Sequence, residues 1–193
     1  MDTDVRRSPG HFGVVAELAA RLPAFVGDRR DVSAAVSSAI LAELEYTETQ
    51  KLIDRREQPD VAAMRARHLI EQMTAAFDDA LVENWEPHEG TFGLPDPDDE
   101  HVVAAAVVGG AGAIVTENLK DFPLAKIPPH IKLLSPAEFA ADTVSVSPDI
   151  ALRAVQTMAA RYGTPPLTTE DILNRLAQRY QLAEATELIR AVS

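Results

Sequence analysis

The sequence predicts an α/β fold with a short parallel sheet, followed by a helical extension at its C-terminal end. Three observations lead to this class. A helix–strand unit lies between Leu94 and Pro123, short apolar strand candidates lie at 80–82 and 131–134, and helical periodicity continues to the end of the chain. Parallel strands need a crossover connection, usually a helix, so helices alternating with short apolar strands are typical of a parallel sheet.

The helix of the central unit begins at a strong capping signal. Asp96 is a favourable N-cap, and Pro97 suits the first helical position. The helix is predicted to run to Val108 and to end at Gly109-Gly110, because glycine readily closes a helix C-terminus. A short apolar strand, 113–116, follows that turn.

The geometry of a crossover unit gives Asp99 a special position. The helix runs antiparallel to the strands, so its first turn lies at the sheet edge where the next strand ends. Asp99 leads a helical stripe through Val103 and Ala106 that should face the sheet, which brings its carboxylate near Thr116 and Asn118. That edge is the usual ligand crevice of an open parallel sheet. Carboxylates there suit a hard cation such as Mg²⁺ or Mn²⁺.

Apolar spacing and capping signals also define the rest of the chain. A capping box at Ser135–Glu138 begins one helix, and Thr143–Pro148 is predicted to be a linker. The predicted domains are therefore 1–143 and a helical extension at 147–193. Helices are expected at 14–22, from after Asp31 to about Arg56, from Pro59 to about Phe77, and at 149–162, 169–180 and 182–192.

Composition and charge limit the classes of protein to which this chain can belong. The chain has 193 residues, an apolar content of 46% and no cysteine, which predicts a real core without disulfides or zinc–thiolate sites. No apolar run approaches the roughly 18 residues of a membrane span, and no signal peptide is visible, so a cytoplasmic protein without a membrane partner is expected. The net charge of −12 argues against tight electrostatic binding of long nucleic acids, but it is compatible with a metal-bridged site.

The central unit resembles the second half of a PIN domain, in the branch of VapC-like toxins. The resemblance rests on Asp99, the alanines at 104–106, Thr116, Asn118 and the Lys-Asp-Phe run at 120–122. It implies a PIN-like three-layer α/β/α fold and a metal-dependent ribonuclease activity that uses Mg²⁺ or Mn²⁺. It also implies a cognate VapB-like antitoxin, an RNA substrate and possible homodimerisation.

The same resemblance implies which residues form the site. Asp99, Glu43 and Asp121 would hold the metal, and these three with Thr116 would form the catalytic set. Glu43 lies in a segment that resembles the family's helix with the second acid, beside an apolar stripe. Asn118 occupies the position of another family acid, so Asp121 either supplies the missing charge or caps the turn before Phe122. Thr116 is expected to hydrogen-bond Asp99 or a metal-bound water, whereas His101, Asp96 and Asp98 are expected to act mainly in local hydrogen bonding and capping.

The first acid of the family has no clear counterpart in this chain. The opening MDTDVRRSPGHF lacks an apolar strand before an acid, although Asp2-Thr3-Asp4-Val5 resembles the family's Asp-Thr-Asn-Val. The first acid is Asp2, or lies upstream of Met1, or is lost, and Ala24–Val26 is an alternative strand. Two further hypotheses therefore stay open: a non-catalytic PIN-like binding module, and an acidic helical interaction protein whose aspartates only cap helices.

Overall fold

The computed structural model describes residues 35–76 and 80–193, which divide into two compact units. The described part of the first unit ends at Leu133, and the second runs from Leu134 to Ser193. The predicted helix at 14–22, the strand candidate at 24–26, Asp2 and Phe77 lie outside the described residues. The helix that we expected at the end of the nuclease domain, from the Ser135 capping box to residue 143, is grouped with the C-terminal helices.

Short strands alternate with helices in the first unit, which confirms the α/β class. Two strands, β1 and β2, pair in parallel, with Val36 opposite Leu81 and Ser37 opposite Val82. Two more, β3 and β4, form a second pair, so the expected single sheet appears as two pairs within the described residues. The elements are β1 (Val36–Ser37), α1 (Ser38–Asp54), α2 (Pro59–Ala76), β2 (Leu81–Val82), α3 (Glu100–Val108), β3 (Ala113–Val115) and β4 (Lys132–Leu134).

Helix α1 begins later than the sequence pattern suggested. We expected one continuous helix from just after Asp31, but Val36 lies in strand β1, where its N–H donates to the carbonyl of Ala80 at 2.8 Å. Ser37 then caps the helix, its hydroxyl accepting from Ile40 N at 3.2 Å. Val36 fits the apolar stripe of a helix, yet pairing with β2 satisfies its backbone and decides its conformation.

Helix α3 forms the centre of the first unit, because every residue from Glu100 to Ala106 is buried. Its apolar side chains pack with the end of the preceding loop, with β3 and with the segment that leads to β4. The main cluster of buried apolar residues in this unit consists of Leu94, Val102, Val103, Ala106, Ile114, Phe122, Ile127 and Ile131. The expected stripe through Val103 and Ala106 is therefore part of this core.

Gly109 ends α3 at a point where the chain has no room for a side chain. A Cβ built there would lie 2.8 Å from Val82 Cγ2 and 3.0 Å from both the carbonyl oxygen of Ala105 and Ala35 Cβ. We expect Gly109→Ala to lower the free energy of unfolding by about 1–3 kcal/mol, because the backbone must shift to admit the methyl group. Urea unfolding, followed by the fluorescence of the single tryptophan, Trp85, measures this effect.

Gly112→Ala is the matched control for that substitution. A Cβ at Gly112 would meet no atom within 4 Å, so the same chemical change is expected to leave the unfolding midpoint nearly unchanged. Equal destabilisation by both substitutions would contradict the explanation that the close approach to Val82 leaves no room for a side chain at Gly109.

The described part of the second unit, Leu134 to Ser193, contains four helices around an apolar core. Their bounds are α4 (Pro136–Val146), α5 (Pro148–Ala160), α6 (Thr169–Arg179) and α7 (Ala183–Arg190). The Ser135–Glu138 capping box is confirmed. The predicted linker at Thr143–Pro148 is wrong, because α4 continues to Val146 and α5 begins at Pro148. The polar residues of this segment led to the prediction of a linker. The helix nevertheless continues, because Val144 is almost fully buried against the other helices of the unit.

In the part of the chain that the structure describes, no helix combines the length and the apolar character required to traverse a membrane.

Candidate active site

The first turn before α3 carries three aspartates with different environments. The carboxylate of Asp96 accepts a hydrogen bond from Asp98 N at 3.0 Å and caps a 3₁₀ turn, Pro97–Asp99, that leads into the helix. The capping role of Asp96 is thus confirmed. Asp99 is the last residue of that turn and makes no capping hydrogen bond to α3 with its side chain. Its carboxylate is therefore free of the role that usually explains an aspartate at a helix start.

The electrostatics of Asp99 link three segments of the first unit. Burial, followed by repulsion from Asp96, Asp121 and Glu43, raises the pKa of Asp99 from 3.8 to about 6, while His101 acts in the opposite direction. Repulsion of this kind requires the carboxylates to lie near one another. Two of the predicted metal residues, Glu43 from α1 and Asp121 from the turn after β3, thus act on the third, Asp99, at the start of α3.

The turn after β3 is held by a chain of polar contacts. Thr116 is buried, and its hydroxyl accepts a hydrogen bond from Asn118 N at 3.0 Å. The side-chain amide of Asn118 in turn donates to a carboxylate oxygen of Asp121. These contacts orient Asp121 within its own turn. The expected contact of Thr116 with Asp99 or with a metal-bound water stays a prediction.

His101 belongs to the first turn of α3 and approaches Glu43 of helix α1. Its Nδ1 is 2.6 Å from the carbonyl oxygen of Asp98, so the expected local hydrogen bond is present. The ring meets the indole of Trp85 edge-on, with 6.1 Å between the ring centroids. Its Nε2 is buried without a hydrogen-bond partner among the described residues and lies 3.7 Å from Glu43 Oε2. The side chain of Glu43 itself is half exposed.

Glu100 is a residue of this region that sequence reasoning missed. Its carboxylate is buried and accepts hydrogen bonds from Phe92 N at 2.9 Å and Leu94 N at 2.7 Å. Burial works to raise the pKa of Glu100, but hydrogen bonds from the backbone of the loop 90–94 outweigh it and hold the pKa below its ordinary value. Glu100 therefore ties this loop to the start of α3. The sequence contains one signal for this role of Glu100: the preceding loop contains glycines, and its backbone N–H groups need acceptors.

The donor chemistry of this region fits a divalent cation in part. Asp99, Glu43 and Asp121 offer the carboxylate oxygens that Mg²⁺ and Mn²⁺ prefer, and the unpartnered Nε2 of His101 is a further donor. Across residues 35–76 and 80–193, however, no three His, Asp or Glu side chains lie close enough to form a ready metal site. The described residues thus supply part of a coordination sphere.

Two regions of the chain are similar to known protein families. The model of the PIN domain family matches residues 16–120, and that of the VapC50 C-terminal domain matches residues 136–191. A curated protein of Mycobacterium tuberculosis (strain ATCC 25618 / H37Rv), "Putative ribonuclease VapC50", is 37% identical over 82 residues, which are 42% of this chain and 48% of that relative. The match thus spans about half of the relative's length. No solved structure matches the chain significantly.

Proposed function

This chain belongs to the PIN-domain family, whose model covers residues 16–120, and from that premise we propose that it is a VapC-like toxin that cleaves RNA with Mg²⁺ or Mn²⁺. The observation that carries the proposal is that Asp99 is partly buried and that Asp121 and Glu43, from two other segments, oppose its ionisation. A carboxylate that is partly buried among other acids is typical of sites that a cation completes.

We assign the metal to Asp99, Glu43 and Asp121, with Thr116 as an accessory residue of the site. When bound, the cation would activate a water and stabilise charge on the phosphate. The protein's own contribution is orientation. The Thr116–Asn118 contact and the Asn118 amide hold the turn of Asp121, and the buried carboxylate of Glu100 fixes the loop that leads to Asp99.

The proposed partners follow from the family and from charge. A cognate VapB-like antitoxin is the expected inhibitor, and homodimerisation is a further expectation. The net charge of −12 favours RNA binding through the bridging cation rather than through a broad basic surface. An activity on cellular RNA would place the protein in the cytoplasm.

A second candidate function is a PIN-like binding module without catalysis. One observation favours it: the described residues do not form a group of three metal ligands by themselves. The two functions differ in a measurable way, because a binding module would neither bind Mn²⁺ at Asp99 nor cleave RNA.

We expect the full chain to cleave single-stranded RNA in the presence of Mn²⁺, and Asp99→Asn to lower the cleavage rate by at least about 100-fold through loss of a metal ligand. Asp98→Asn, at the neighbouring position, is the matched control and should retain cleavage. The measurement is initial rate on a fluorescently labelled RNA, with and without a chelator. Wild-type protein that neither binds Mn²⁺ nor cleaves would support the binding module instead.

A further inference from the structure

The hydrogen bond of His101 determines which ring nitrogen carries the proton. Nδ1 lies 2.6 Å from the carbonyl oxygen of Asp98, and a carbonyl oxygen only accepts hydrogen bonds. Nδ1 therefore donates, and in the neutral imidazole the lone pair lies on Nε2. The contact with the edge of Trp85 helps to hold the ring in this orientation.

The environment of Nε2 lacks the donor that its lone pair requires. Within the part of the chain that is described, Nε2 is buried and has no hydrogen-bond partner. Among the described residues, the carboxylate oxygen within 4 Å of Nε2 is Glu43 Oε2 at 3.7 Å, which is also an acceptor and is too distant for a hydrogen bond. Two acceptors that face each other, one of them buried and the other half exposed, favour a cation between them.

The same arrangement matches the pattern of histidines that bind metals in proteins. A metal-bound imidazole almost always donates its other ring N–H to a backbone carbonyl or a carboxylate, which fixes the tautomer. Two metal–ligand bonds of about 2.1 Å allow their ligand atoms to lie up to about 4.2 Å apart. The 3.7 Å between Nε2 and Glu43 Oε2 falls within that limit.

We propose that His101 Nε2 is a ligand of the catalytic metal beside Glu43, and that the site therefore prefers Mn²⁺ to Mg²⁺. This proposal rests on the proposed function and selects between its two cations. Carboxylates accept either ion, whereas imidazole is a good ligand for transition metals and a poor one for Mg²⁺. His101 thereby supplies a nitrogen to a site whose other assigned ligands are oxygens.

Pulsed electron paramagnetic resonance of the Mn²⁺-loaded full chain tests the ligand directly. We expect a ¹⁴N hyperfine coupling to Mn²⁺ in the wild type and in His130→Asn, which removes an exposed histidine. His101→Asn keeps an amide near the Nδ1 position and removes Nε2, so the coupling should vanish. The affinity for Mn²⁺ should fall by about tenfold or more, while the affinity for Mg²⁺ stays unchanged.

His101→Gln separates metal binding from a role in which the ring only orients Glu43. The glutamine amide N–H₂ reaches the region of Nε2 and donates to a carboxylate, but it supplies no ring nitrogen. We expect this variant to lose Mn²⁺ affinity as His101→Asn does. Wild-type affinity and Mn²⁺ preference in His101→Gln would overturn the proposal, since a hydrogen-bond donor would then suffice.

The wild-type spectrum also tests whether His101 is a metal ligand if the His101 variants fail to fold. RNA cleavage with Mn²⁺ but without a ¹⁴N coupling would overturn the ligand assignment and leave the proposed function standing. A ¹⁴N coupling in a protein that cleaves no RNA would support the ligand assignment and argue against the proposed ribonuclease activity.

Discussion

Replacing Asp99 with asparagine is expected to stabilise the metal-free protein at neutral pH, although it removes the proposed activity. Burial and three neighbouring carboxylates raise the pKa of Asp99 from 3.8 to about 6, so its ionised form is held at a cost in free energy. A shift of about two units corresponds to about 3 kcal/mol. Because the side chain is partly exposed and solvent screens the repulsion, we expect a gain of about 1 kcal/mol.

The pH dependence of this effect has a defined sign. Between its ordinary pKa and about 6, Asp99 binds more protons in the folded protein than in the unfolded chain. Its contribution to stability is therefore fully present below pH 3.8 and is lost as the pH rises through about 6. Asp99→Asn lacks this loss, so the difference between variant and wild type should be small at about pH 4 and reach its full size by about pH 7.

Mn²⁺ should reverse the order of stability of the two proteins, so that wild type becomes more stable than Asp99→Asn. A ligand that binds only the folded state stabilises it by a free energy that grows with the logarithm of one plus its concentration over Kd, so saturating Mn²⁺ is expected to raise the unfolding midpoint of wild type but not of Asp99→Asn. Urea titrations with and without Mn²⁺, followed by Trp85 fluorescence, measure both effects. Asp60→Asn, an exposed acid in the first turn of α2, is the control. A metal-free Asp99→Asn less stable than wild type at pH 7 would contradict the repulsive cluster.

The largest loss of stability is expected from Glu100→Gln. The two carboxylate oxygens accept from Phe92 N and Leu94 N at a buried position. An amide has one oxygen, so its N–H₂ group must face a backbone N–H and leave that donor unsatisfied. Hydrogen bonds to a charged group are worth about 1.5–3 kcal/mol each, and we expect a total loss of about 2–4 kcal/mol.

Glu89→Gln is the matched control, because Glu89 is an exposed acid that directly precedes the loop 90–94 and its substitution should change stability by less than about 0.5 kcal/mol. Trp85 reports on this region, since it is buried against α3. The lowered pKa of Glu100 means that its contribution is present above its ordinary pKa and is lost as the pH falls through the folded value. Similar stabilities of Glu100→Gln and Glu89→Gln would show that the loop does not depend on the carboxylate.

Local signals in the sequence predicted much of the fold. Asp96 and the Ser135–Glu138 box begin helical segments as expected, because capping involves atoms within three residues of one another. The end of α3 at Gly109 followed for the same reason. The errors arose where a distant partner decides the conformation. Val36 pairs with β2, and α4 extends through a polar segment because Val144 packs in the core of its unit.

The same distinction between local signals and distant partners applies to the candidate site. The sequence by itself determined the residue types and their order: an aspartate after a cap, a polar turn after a strand, and a glutamate beside an apolar stripe. Only the tertiary structure decided that Asp99 is repelled by acids from two other segments, that Glu100 is buried under the loop 90–94, and that His101 Nε2 faces Glu43. A side chain's burial and its partners depend on segments far away in the chain, and spacing within one segment contains no information about them.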